Sequence, residues 1–249
     1  MKKLFLFLTV LVFGITLSSC LSNGGKQYAE TSFVYVTSDY NQIYGRTNTM
    51  TGITSEQIRN MNEGDFKLCY WGWDEDDLGS RPLGQGQLLN VRIASDIKDI
   101  NKTTVNPLQN PYDDEDRGTL FKDMKAPLYS SDGTWFADYW VFQYTYEKVE
   151  GQEPVVTFYQ REFDEDEDLI NPSLIEVDVR LTVTGEAKDD ASKKVTTDAV
   201  VVDMRQFRSY YLRTKGDKIK FKFHYYNNEN GDAATIKHDK GDIWEMIYL

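Results

Sequence analysis

Thiol and imidazole groups are scarce in this chain. Its 249 residues carry two cysteines, Cys20 and Cys69, and two histidines, His224 and His238. Neither histidine belongs to a His-Glu-x-x-His motif, which argues against a zinc enzyme. So few imidazoles also argue against a Ser-His-Asp hydrolase, and no Gly-x-Ser-x-Gly elbow is present. Phosphate loops are missing too, because Gly84-Gln85-Gly86 lacks both a third glycine and a Lys-Ser/Thr pair. Positive charge is in deficit: 28 Lys and Arg stand against 40 Asp and Glu, a formal charge of −12. Charge therefore holds neither nucleic acid nor an anionic bilayer surface. No repeat of solenoid or propeller type recurs. These absences leave a chain with no catalytic motif and no cofactor motif, which reads as a non-enzyme.

Long apolar runs are absent as well, except at the start. Lys2 and Lys3 precede an almost wholly apolar stretch from Leu4 to Ile15, and Leu17-Ser18-Ser19-Cys20 closes it. Residues 1–19 are too short and wrongly flanked for a spanning helix and read as a secretory signal. The closing cysteine resembles the lipobox of bacterial lipoproteins, whose thiol is acylated, as with palmitate, and becomes the mature N-terminus. That resemblance implies a membrane partner through lipidated Cys20. It also implies the cell envelope as location, as an outer-membrane lipoprotein facing either the surface or the periplasm. Two or more acyl chains suffice to hold such a protein, since each buried methylene contributes about 0.8 kcal/mol. With Cys20 used in this way, Cys69 has no disulfide partner. In the strand-like run Phe66 to Tyr70 it reads as a small core residue. Residues 20–32 open with Ser, Asn and Gly and read as a flexible tether.

Beyond the tether, the periodicity is that of strands. Ile175, Val177, Val179, Leu181 and Val183 alternate with Glu176, Asp178, Arg180 and Thr182. Ile219, Phe221, Phe223 and Tyr225 alternate likewise with Lys218, Lys220, Lys222 and His224, a pattern that puts His224 on a wet face. Period two with one apolar face is the mark of antiparallel sheets. Further strands are expected at Phe33–Val36, Phe66–Trp73, Gln87–Ala94, Trp135–Val149, Val155–Phe163, Asp198–Tyr211 and Asp242–Leu249. Six strands in the second half at short spacing point to a sandwich. Thr54-Ser55-Glu56-Gln57 offers a helix start and Gly64 a stop. Asn106-Pro107, Asn110-Pro111 and the acidic run 113–116 interrupt the periodicity, so the domain boundary is placed there.

Two kinds of side chain remain as candidate sites. The acidic clusters 74–77, 113–116 and 164–168 supply hard oxygen ligands of the kind calcium takes. In the last, Asp164, Asp166 and Asp168 have EF-hand spacing, but Leu169 occupies the glycine position and Ile175 the bidentate one. Weak calcium binding there competes with a solvated, self-repelling loop. The aromatics are the second kind. Trp71 and Trp73 share one face of a strand, and Trp140, Phe142, Tyr144 and Tyr146 share a face of another. Flat rings beside polar groups stack on sugars or pack against a protein, and the same rings also build cores. For Trp71 and Trp73 both readings stay open.

The order of these features resembles the NigD-like lipoproteins of Bacteroidetes. The likeness is carried by Leu17-Ser18-Ser19-Cys20 and Glu63-Gly64-Asp65-Phe66-Lys67-Leu68. The aromatic block from Asp138 to Tyr146 and Phe221-Lys222-Phe223-His224-Tyr225-Tyr226 also carry it. It implies an all-β chain, with an N-terminal OB-like small barrel over 33–112, an acidic Pro-containing linker over 113–126 and an antiparallel β-sandwich over 127–249. Together with the missing catalytic motifs and the aromatic faces, these features point to a lipid-anchored, non-catalytic binding or assembly protein of the cell envelope with no cofactor, and a protein or glycan is its candidate partner. A structural subunit of a pilus or surface complex is the alternative, and a weak carbohydrate- or calcium-binding module a second.

Overall fold

Alternation and aromatic bulk do give strands: the chain is 59% strand and 6% helix, in two curled half-barrel sheets that form the expected all-β arrangement of an OB-like part and a sandwich. The computed structural model describes residues 27–39, 41–75, 79–83, 86–107, 119–162, 172, 174–188, 192–227, 233–237 and 241–249. Two compact units emerge, Met1–Lys98 and Asp99–Leu249.

The first unit is built from β1 (Gln27–Asp39), β2 (Gln42–Thr47), β3 (Gly52–Thr54), α1 (Glu56–Arg59) and β4 (Phe66–Asp74). Short strands β5 (Arg81–Leu83), β6 (Gly86–Asn90), β7 (Arg92–Ile93) and β8 (Lys98–Asp99) follow. The sheet runs β5-β6-β3-β2-β1-β4-β7, with β8 beside β4. β1 starts at Gln27, and Gln27 to Ser32 pair with Asp74 to Cys69 of β4. The tether expected over 20–32 therefore ends earlier: its last six residues form a ladder, and composition gave no hint of that partner. α1 begins where the sequence marks it. Ser55 is its N-cap and its Oγ accepts from the Ile58 amide at 3.1 Å. Val34, Ile53, Ile58, Cys69, Trp71, Leu89 and Val91 form the buried cluster of this unit.

The second unit holds β9 (Asn101–Pro107), β10 (Asp123–Met124), β11 (Tyr139–Lys148), β12 (Glu153–Gln160), β13 (Ile175–Thr184) and β14 (Lys194–Asp203). After these come α2 (Arg205–Tyr211), β15 (Lys218–Tyr226), β16 (Ala233–Thr235) and β17 (Trp244–Ile247). Strand order is β10-β11-β14-β9-β12-β13-β15-β16, with β17 on β15. β11 and β15 are far apart in that order. Even so, Trp140 meets Phe221 at 5.4 Å and Phe142 meets Phe223 at 4.9 Å between ring centroids. The sheet thus folds back on itself and closes an aromatic core between its two leaves.

Three sequence expectations change here. The sandwich is mixed and not wholly antiparallel, because β9 runs parallel to β12 and β14 and β13 runs parallel to β15. The boundary moves from 113–126 to Lys98/Asp99. β9, assigned by sequence to the first domain, sits mid-sheet in the second with Val105 buried, while Phe121 and Met124 of the supposed linker lie in the second core. Proline and asparagine punctuation marks turns well, but it is blind to strand partners many residues downstream. The strand expected over 198–211 ends at Asp203, and α2 follows. Asp203 Oδ1 accepts from the Arg205 amide at 3.0 Å, and Phe207 turns into the core against Phe221 at 5.1 Å.

Candidate functional sites

Strand pairing brings together a polar cleft at one end of the first sheet. Gln42 and Ile43 begin β2, while Thr54 ends β3 opposite Asn90, which ends β6 in the parallel register. Arg59 closes α1, Asn41 lies in the β1–β2 turn with φ of 63°, and Gly79 lies ahead of β5. These residues line a cleft of about 580 Å³. Its floor is fixed by the Val91 amide donating to the Thr54 carbonyl at 2.8 Å. The Arg59 guanidinium donates through Nη1 to Thr54 Oγ1 at 3.4 Å. Local sequence offered no route to this site, since residues near 42, 59 and 90 meet only through the β2-β3-β6 pairing.

The two candidate tryptophans do share a face, and it is the core-facing one. Trp71 is fully buried, and its indole Nε1 donates to Ser32 Oγ at 3.1 Å. A ring with no exposed face stacks on no ligand, so of the two readings left open for Trp71 the structure takes the core one. Trp73 is half-buried and packs against the same cluster. Its Nε1 donates to Ser80 Oγ at 3.1 Å, and that hydroxyl also accepts from the Asn90 amide at 3.2 Å. Trp73 thereby braces the wall of the cleft one residue away from its lining. The Trp140, Phe142, Tyr144 and Tyr146 ladder is wholly core.

Cys69 is buried, and desolvation pushes its thiol up to about 11. It stays protonated near neutrality and is no nucleophile. Cys20, Asp164, Asp166, Asp168 and His238 lie outside the described residues. Among the described residues no three His, Cys, Asp or Glu side chains group as metal ligands. No helix among them is long and apolar enough to cross a membrane.

His224 departs from expectation. The alternation put it on a wet face, but it is only 9% exposed. The parallel register sets Asp178 opposite His224 and Glu176 opposite Lys222. Arg161 binds both carboxylates, through Nε and Nη2 to Asp178 Oδ1 at 3.0 and 2.7 Å and through Nη1 to Glu176 Oε2 at 2.9 Å. His224 Nε2 lies 3.4 Å from Glu176 Oε2 without the geometry of a hydrogen bond. Burial, chiefly, and then the Arg161 charge hold the imidazole below its usual pKa, with Lys222 adding to this and Glu176 and Asp178 opposing it. The sign follows directly. The unfolded chain takes up this proton near pH 6.5, before the folded one does, so the histidine lowers stability as pH falls from about 6.5. His224→Gln is therefore expected to lose less stability than the parent between about pH 6.5 and 5.5. Paired urea titrations across that range test this, and equal losses in the two proteins contradict it.

No family model matches the chain, and no curated protein matches it. Solved structures share its fold. A NigD-like immunity protein from Bacteroides caccae is 13% identical with a TM-score of 0.54, over 88% of this chain and 97% of that one. A protein of unknown function from Bacteroides vulgatus is 12% identical with a TM-score of 0.53, over 84% and 90%. A provisionally assigned lipoprotein from Bacteroides fragilis is 14% identical with a TM-score of 0.50, over 90% and 99%. Identities this low establish fold alone. At that level they support the NigD-like resemblance of the sequence.

Proposed function

We propose that this chain is a NigD-like, lipid-anchored protein of the bacterial cell envelope that works by non-catalytic binding. The observation that carries the reading is the position of Cys20: it follows the apolar run from Leu4 to Ile15, which reads as a secretory signal, and precedes β1 by only six residues, 21–26. Seven residue steps from Cys20 to Gln27 span at most about 25 Å, so an acylated Cys20 keeps β1 close to the bilayer. The fold shared with a provisionally assigned lipoprotein supports an envelope protein. The buried, protonated thiol of Cys69 supports binding over turnover.

Cys20→Ser provides the test. In a Bacteroides host the parent is expected in the membrane fraction, released by detergent and not by high salt, because the attachment is acyl and not ionic. The variant is expected in the soluble fraction. A variant that stays with the membrane, or a parent that leaves it in salt, contradicts the reading.

A further inference from the structure

We propose that the cleft between β2, β3, β6 and α1 binds a hydroxylated carboxylate, the chemistry of an acidic sugar such as a uronic acid. This deepens the binding reading above and rests on it. The volume, about 580 Å³, lies within the range of small-molecule sites. Its charge runs against the rest of the chain. Acidic residues outnumber basic ones 40 to 28 overall, yet among the described residues the lining holds one cation, Arg59, and no carboxylate. The guanidinium makes only the long bond to Thr54 among the described residues, which leaves most of its five N–H donors for a ligand. A planar guanidinium fork matches a carboxylate with two parallel bonds.

The other lining groups favour a hydroxylated ligand over a bare anion. Asn41, Gln42 and Asn90 bring three carboxamides, and the Asn41 and Gln42 side chains make no hydrogen bond among the described residues. Each carboxamide both donates and accepts, as a sugar hydroxyl does, whereas a phosphate ion mainly accepts. Among the described residues Ile43 is the only apolar side chain of the lining, too little to seat the side chains of a peptide. The backbone frame is rigid where it counts: Thr54 and Asn90 are ladder partners, and Ser80 ties the Asn90 amide to Trp73.

The full chain, purified from membranes in detergent, is titrated with glucuronate, glucose and acetate by NMR and calorimetry. Glucuronate is expected to bind with a Kd on the order of 1 mM, as befits so small a ligand. Glucose lacks the charge and acetate lacks the hydroxyls, so each is expected to bind at least about tenfold more weakly. Arg59→Gln is expected to bring glucuronate down to the level of glucose. Arg59 is exposed on a one-turn helix, and an unchanged thermal midpoint verifies that the variant folds. No binding of glucuronate, or equal affinity for glucose, overturns the proposal. So does equal affinity for acetate, the mark of a simple charge contact. The three-ligand comparison on the parent protein decides without any variant. Failure here leaves lipid attachment at Cys20 untouched, because membrane fractionation reads that separately.

Discussion

Arg208→Met is expected to lower stability by about 3–5 kcal/mol, because it strands a buried carboxylate. Arg208 lies in α2, and its Nε meets Asp138 Oδ2 at 2.5 Å. Nη1 donates to the Ile247 carbonyl at 2.7 Å, and Nη2 to the Ser131 carbonyl at 3.2 Å. One side chain therefore ties α2, the segment leading into β11, and β17. The Asp138 side chain is only 9% exposed, and its Oδ1 has no hydrogen-bond partner among the described residues. Its backbone is constrained as well: φ is 64°, and its carbonyl accepts from the Met204 amide at 3.0 Å. Removing the guanidinium leaves the charge in place with nothing to offset it. In a unit of this size the loss corresponds to a fall of roughly 10 °C in Tm. Asp138→Asn combined with Arg208→Met is expected to recover part of that loss, since the orphaned charge is gone and asparagine tolerates a left-handed backbone. Thermal melts of the parent, the single and the double variant measure both effects. A double variant as unstable as Arg208→Met alone contradicts the electrostatic explanation.

Trp140→Ala is expected to cost a similar amount, about 3–5 kcal/mol, by a different route. The ring is fully buried in β11. It packs on Tyr129 at 4.0 Å, Phe221 at 5.4 Å and Phe223 at 5.7 Å between centroids, and so joins the two leaves of the sandwich. Truncation removes its apolar surface and opens a cavity among rigid rings that are slow to refill it. The indole Nε1 has no hydrogen-bond partner among the described residues. Trp140→Phe therefore sacrifices no polar bond and keeps most of the volume, and is expected to retain more than half of the stability that alanine loses. Urea titrations of both variants make the comparison. Equal losses for Phe and Ala would mean that the ring's bulk is not what holds the leaves together.

The legible part of this fold was its one-dimensional part. The alternation through Ile175 to Val183 identified β13 and its inward side chains, and the Ser55 cap located α1. The aromatic ladder from Trp140 to Tyr146 read correctly as a strand with a core face. What sequence concealed was long-range pairing. Nothing local to Asn101–Pro107 announces that it lies between β12 and β14, whose residues come about fifty or more positions later. The same limit hid the surroundings of His224. Alternation gave its face correctly, but Glu176 and Asp178 are brought alongside by the parallel register of β13 with β15, and Arg161 by the antiparallel pairing of β12 with β13. α2 was missed for another reason. Val200, Val201 and Val202 make a strong strand signal, while at the stop the Asp203 side chain accepts from the Arg205 amide, a contact that alternation does not show. The cleft was invisible because its polar residues are common types in turns and strand ends, and only their convergence is informative. Trp71 and Trp73 illustrate the remaining ambiguity: spacing puts two rings on one face, and only the sheet's partners decide whether that face is wet.

Mass spectrometry of the N-terminal peptide from protein purified out of the membrane fraction tests the central claim most directly. The account predicts a chain that begins at Cys20 and carries the added mass of at least two acyl chains on that residue. A chain that begins at Met1, or one cleaved before Cys20 with an unmodified thiol, contradicts it.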